Sequence, residues 1–216
     1  MNIQNIYYIN LEHRKDRKKH MIKQFKQLNW NATRIPAIKT PNGAIGCTLS
    51  HIKCLQMAIN LNLDYIVILE DDICFLNPSL FIEQLQKTLN TLTNWDVILF
   101  AGNNANTYTV INDSCVKIKN TQTTTGYMVN KHYFQILLDN IKEGLSLLIK
   151  QPHLHVMYAI DKYWFLLQEK DNWYFVTPLT VVQMESYSDI EKRNTNYGRM
   201  MLMLDKPYFR HNSLML

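Results

Sequence analysis

The 216 residues are 47% hydrophobic and 19% charged, which suits one globular domain with a sizeable core and at most a small appendage. No apolar run approaches the roughly 20 residues of a membrane helix. The opening "MNIQNIYYIN" has neither the basic start nor the long apolar centre of a secretory leader, so a soluble, cytoplasmic protein is expected. The net charge of +5 is concentrated in "HRKDRKKHMIKQFK", residues 13–26. That run reads as a solvated helix face or as an anion or membrane-surface patch, and with no nucleic-acid motif beside it no nucleic-acid partner is expected.

In chain order, "IYYINL" (6–11) reads as a first strand. A helix follows to about Leu28, with Met21, Ile22, Phe25 and Leu28 at helical spacing. "ATRIPAI" (32–38) is a short extended segment, "TPNG" a turn and 44–62 a second helix. "YIVILEDD" (65–72) has apolar residues on both faces, the pattern of a central parallel strand. Asn77 as N-cap and Pro78 in the first turn open a helix over 77–92, and "WDVILFAG" (95–102) is another buried strand. "TYTVI" and "CVKIKN" predict a hairpin around "NDS". "TTTGYMVN" (123–130) is a strand, 131–144 and 155–170 are helices and "NWYFVTP" is a strand. From Leu179 onward the pattern is irregular. The β-α-β-α-β-α-β order argues for an α/β fold with a mostly parallel sheet.

The run of Glu70, Asp71 and Asp72 closes a strand that reads as buried, so it needs a positive partner. In open parallel sheets ligands bind at the carboxyl ends of strands. Alternation points Glu70 and Asp72 one way and Asp71 the other. Two carboxylates on one side suit a hard divalent cation, Mn²⁺ or Mg²⁺, whose shell is completed by substrate phosphates. The expected partner is therefore a metal and not a residue. The four cysteines read as free thiols of a reducing compartment. Cys47, His51 and Cys54 share one helix face and form a candidate zinc set, although Ala58 and Leu61 extend the same face as a buried stripe.

Six segments together resemble glycosyltransferase family 25, the lipooligosaccharide-type and collagen galactosyltransferases. They are "YYINLEHRKDRKKHM" (7–21), "IGCTLSHIKCLQ" (45–56), "VILEDDICF" (67–75), "TTTGYMVN" (123–130), "AIDKYW" (159–164) and "VVQMESYSDIE" (181–191). The resemblance implies a GT-A type fold, helices on both faces of the sheet, and transfer of a hexose with inversion. The donor it implies is a UDP-sugar, galactose or glucose first, and the acceptor a hydroxyl of a glycan or protein. In this frame residues 1–192 form the catalytic domain and 193–216 a Met-rich tail. Family members often carry an acid just before the "IGC" segment, where this chain has Ala44.

Roles follow for the motif residues. Asn10 and Leu11 lie beside the base and ribose. Arg14 and Arg17, at the start of a helix, assist the diphosphate. Ser50 and His51 contact the donor or brace a strand. Glu70 and Asp72 hold the metal, with Asp71 in the same donor-binding motif. Thr125 and Gly126 face sugar hydroxyls. Asp161, an acid among aromatic residues, is the expected base, with Tyr163 and Trp164 as sugar-stacking faces. Asp189 is the second candidate for the base. A nucleotidyltransferase is the competing enzyme class, but "NLEHRKDR" lacks its glycine-rich phosphate loop. A catalytically inactive, glycan- or partner-binding family member is the non-enzyme alternative.

Overall fold

The computed structural model describes residues 3–188 and 192–206. The first half comprises β1 (Ile6–Asn10), α1 (Lys15–Leu28), β2 (Ala32–Pro36), α2 (Gly43–Asn60), β3 (Tyr65–Glu70), β4 (Ile73–Phe75), α3 (Pro78–Thr91) and β5 (Val97–Leu99). Short strands follow: β6 (Asn103–Asn104), β7 (Thr109–Val110), β8 (Cys115–Lys117) and β9 (Thr121–Gln122). Then come β10 (Gly126–Asn130), α4 (Phe134–Lys150), α5 (His155–Tyr158), α6 (Ile160–Tyr163), α7 (Phe165–Gln168) and β11 (Trp173–Val176). The last described elements are β12 (Val181–Gln183), β13 (Ser186–Ser188), β14 (Arg193–Thr195) and α8 (Gly198–Met201).

Eight strands make the central sheet, in the order β2-β1-β3-β10-β5-β11-β8-β7. β1 pairs parallel with β2 and β3, and β5 with β11. β10 enters antiparallel between β3 and β5, and β8 runs antiparallel to β11. The sheet is thus mixed, with most strands in one direction. The expected α/β architecture is present, but β5 does not neighbour β3. A strand from the second half of the chain takes that place, because its apolar residues on both faces fit a central slot as well as β5 would.

Alternation along β3 divides the core. Ile66 and Ile68 pack with Leu55 and Ala58 of α2 and Leu137 and Ile141 of α4. Val67 and Leu69 pack with Met21 and Phe25 of α1 and Phe81 and Leu85 of α3. Helices therefore cover both faces, as expected. Full burial of each such side chain contributes roughly 1.5–3 kcal/mol. Asn77 caps α3 by accepting from the Leu80 amide at 3.1 Å, with Pro78 in the first turn. Lys15, Lys18, Lys19, Lys23 and Lys26 lie on the exposed face of α1. No helix among the described residues is long and apolar enough to cross a membrane.

Three expectations change. β3 stops at Glu70, and Asp71 and Asp72 form the turn into β4. The helix expected over 155–170 is three short turns, broken at Ala159, whose ψ of 148° is extended. The described residues after Leu179 form regular elements: β12 pairs with β4, β13 with β14, and Met201 of α8 is fully buried. The Lys206 ammonium donates to the carbonyls of Asn104 and Met203. The described part of the tail thus packs against β12 and β6. Residues 207–216 lie outside the described residues.

Candidate active site

At the carboxyl ends of β1 and β3, the acids are sorted onto two sides. Asp71 turns toward α1. It accepts from Asn10 Nδ2 at 2.6 Å and from Arg17 at 2.8 Å. Arg17 lies 3.1 Å from Asp72 as well, and it also donates to the Ser186 hydroxyl and the Tyr187 carbonyl on β13. The positive partner expected to be a metal is therefore in part a residue. Arg17 lies 54 positions before Asp71 in the chain, and only the packing of α1 on the sheet brings them together. Glu70 continues the β3 alternation toward α2. Its Oε1 takes three contacts: the Thr124 hydroxyl at 2.7 Å, the Cys47 thiol at 3.6 Å and His51 Nε2 at 3.4 Å. Glu70 and Asp72 thus do not share one side of a strand, because the strand has ended before Asp72.

The charges differ accordingly. Burial pushes Glu70 up, but the His51 ring and the Thr124 and Cys47 donors hold it below the ordinary glutamate value. Burial, followed by the charge of Glu70, pushes Asp72 up to about 7 despite Arg17. Its Oδ1 is buried and has no hydrogen-bond partner among the described residues. A raised carboxylate with one orphaned oxygen, next to two other acids, is a donor set that fits a hard divalent cation. The residue that would hold such an ion is Asp72, through Oδ1; Glu70, expected to share it, faces Cys47, His51 and Thr124 instead.

Several expected contact residues turn out to be braces. Asn10 is 1% exposed; its Oδ1 accepts from Arg34 Nε and its Nδ2 reaches Asp71, so it links Arg34 to the acids and has little left for a base or ribose. Leu11 is half-buried and its carbonyl accepts the Arg14 amide. Arg14 pairs with Asp16 and donates to the Tyr187 carbonyl, so both arginines fasten β13 to α1. Ser50 is buried, donating to the Gly46 carbonyl and accepting from the Ile38 amide, which ties the β2–α2 connection to the helix. His51 is fully buried, with Nδ1 2.8 Å from the Tyr127 hydroxyl. Gly126 is a packing glycine: a Cβ there would lie 2.5 Å from Ile73 Cδ1.

Asp161 opens α6 and accepts from the Thr123 amide at 3.2 Å. Burial raises its carboxyl; Lys162 and the Thr123 amide oppose the rise and the charge of Glu70 adds to it. Thr123, at φ 77°, and Thr124 thus fasten Asp161 and Glu70 from adjacent positions. Thr125, the residue expected to contact sugar, is fully buried and bonds to the Thr123 hydroxyl. Trp164 is a core residue, not a stacking face: it is fully buried, donates to the Thr121 carbonyl and packs on Tyr127 and Trp173. Tyr163 leans on Gly144 of α4. Asp189 lies outside the described residues. Arg34 carries no signal in the sequence, where it is an isolated arginine in a short strand, and Thr124 lies in the "TTTG" segment (123–126), expected to offer hydroxyls to a sugar, where its hydroxyl instead holds Glu70.

Of the candidate zinc set, Cys54 is fully buried in the core, while Cys47 and His51 meet Glu70, with one ligand atom from each within 4.8 Å of the others.

These residues lie in a sequence that matches the model of glycosyltransferase family 25 (LPS biosynthesis protein) over residues 40–164, more than half of the chain. The chain belongs to glycosyltransferase family 25. Among curated relatives, a putative glycosyltransferase of Haemophilus influenzae is 34% identical over 92 residues, covering 32% of this chain and 33% of that one. A glycosyltransferase 25 family member of Aedes aegypti is 23% identical over 198 residues, covering 76% of this chain and 30% of that one. The chain thus spans about a third or less of the length of these relatives. Among solved structures, a Drosophila beta-1,4-galactosyltransferase 7 complexed with manganese, UDP-Gal and xylobiose is 12% identical with a TM-score of 0.41, covering 93% of this chain and 79% of that one.

Proposed function

We propose that this chain is an inverting glycosyltransferase that moves a hexose from a UDP-sugar to a hydroxyl of a glycan or protein. The observation that carries the reading is the acid cluster at the strand ends, with the orphaned Asp72 Oδ1, in a chain of this family. Mn²⁺ or Mg²⁺ bound there supplies positive charge that offsets the leaving diphosphate. Arg17 keeps Asp71 and Asp72 together despite their repulsion and ties them to β13. Asn10 and Arg34 fix the second Asp71 oxygen. His51, Thr124 and Cys47 keep Glu70 ionised and aimed.

Asp161 is the assigned base. The acceptor oxygen forms the new bond to the anomeric carbon as the bond to the diphosphate oxygen breaks, and the hydroxyl proton passes to the Asp161 carboxylate. Attack from the face opposite the leaving group gives inversion. The Thr123 amide steadies Asp161 through Oδ2. A nucleotide-release assay over a panel of nucleotide sugars, with and without Mn²⁺, tests the reading. UDP release that requires Mn²⁺ is expected. A protein that turns over no nucleotide sugar, or that releases pyrophosphate, contradicts it.

A further inference from the structure

The structure assigns Cys47, His51 and Glu70 as a site for one zinc ion, distinct from the cation proposed for the donor. Cys47 and His51 lie one turn apart on α2, and Glu70 reaches them from the end of β3. Their spacing is that of a metal shell. A tetrahedral zinc ion with bonds of about 2.0 Å to oxygen and nitrogen and about 2.3 Å to sulfur holds its N···O pair about 3.3 Å and its S···O pair about 3.5 Å apart. Here His51 Nε2 is 3.4 Å and Cys47 Sγ 3.6 Å from Glu70 Oε1. Two of the three edges thus match a zinc shell, and the three ligand atoms all lie within 4.8 Å of one another.

A second observation supports the same reading. A metal-binding imidazole is normally oriented by a partner on its other nitrogen. His51 Nδ1 is 2.8 Å from the Tyr127 hydroxyl, and the two rings stack, interplanar 20°. Nε2 is therefore the atom presented to Glu70 and Cys47. The Thr124 hydroxyl donates to Glu70 Oε1 itself and fixes where that oxygen stands. One sulfur, one imidazole nitrogen and one carboxylate oxygen, with a fourth position for water, make a borderline-soft set that selects zinc over Mn²⁺ and Mg²⁺. Binding exchanges the thiol–carboxylate and imidazole–carboxylate contacts for bonds to the ion, and the Cys47 thiol proton leaves to solvent.

The test uses the whole untagged chain, reduced and stripped by a chelator. It is titrated with Zn²⁺ against a chromophoric competitor, and separately with Co²⁺. One equivalent of Zn²⁺ is expected, with a thiolate-to-cobalt charge-transfer band that disappears in Cys47→Ser and persists in Cys74→Ser. Tyr127→Phe, which removes only the group orienting His51, is expected to weaken zinc about 10- to 100-fold. Absence of the cobalt band from the wild-type protein overturns the assignment by itself, whether or not Cys47→Ser folds. A band that survives Cys47→Ser overturns it as well.

Discussion

Thr123 and Thr124 are consecutive residues that hold the two acids on the α2 side, one through its amide and one through its hydroxyl. This sets what Asp161 does at different pH. Its carboxyl is raised by burial, with Glu70 adding to the rise. As the proposed base it works ionised, so the acid limb of kcat/KM for the acceptor is expected to climb through a value above the usual aspartate value of about 3.9. For folding the sign is opposite. A raised carboxyl favours the folded state below its unfolded pKa, and that advantage is lost as pH climbs through the folded value. Asp161→Asn is therefore expected to gain stability relative to wild type from acidic to neutral pH. It should keep UDP and Mn²⁺ affinity near wild type and lose about 10²–10⁴-fold in transfer. Transfer within a few-fold of wild type would make Asp161 structural, and loss of donor affinity would move it into the donor site.

Among elements, the contact of α4 with α6 fixes where Asp161 stands. Gly144 of α4 meets the Tyr163 side chain: an added Cβ would lie 2.8 Å from Cγ, 2.9 Å from Cδ1 and 3.0 Å from Cβ of that residue. On helix propensity alone Gly144→Ala would stabilise by about 1 kcal/mol. Overpacking against a ring wedged between helices costs typically about 1–3 kcal/mol, so a net loss is expected on urea denaturation. A net gain would show that α6 moves freely against α4. Elements of this kind differ in how legible they were. α1, α2, α3 and β3 were readable because their apolar spacing is local, and Asn77 and Pro78 marked a start. The place of β10 was not, since a strand apolar on both faces does not encode its neighbour. Nor was the break at Ala159, in a stretch whose apolar residues fit a continuous helix. In the site, the acids were visible, but Arg17 as their partner and Arg34 behind Asn10 depend on packing between segments 24 to 54 residues apart.

For the whole molecule, the domain extends past the family segments. Met201 is fully buried and accepts the Gln183 amide through its sulfur, α8 packs on β12, and Asp205 meets Tyr108. β13 in turn receives both Arg14 and Arg17, which ties this strand to the acid cluster. Met201→Ala is expected to cost about 2–5 kcal/mol, as truncation of a buried methionine does. A chain ending at Asn196 should lose at least as much, and a melting temperature unchanged by either would mean that residues 197–206 are an appendage after all.

As proposed, the acids at the end of β3 bind a nucleotide diphosphate together with a divalent cation. Calorimetric titration of UDP into the wild-type protein and into Asp72→Asn, each with and without Mn²⁺, tests it most directly. Wild-type binding that depends on Mn²⁺ is expected. A folded Asp72→Asn protein with weakened Mn²⁺-dependent binding is expected as well, because the variant replaces an oxygen of the buried, partly orphaned carboxylate by an amide nitrogen. Equal UDP affinity in the two proteins, or wild-type affinity indifferent to Mn²⁺, would contradict it.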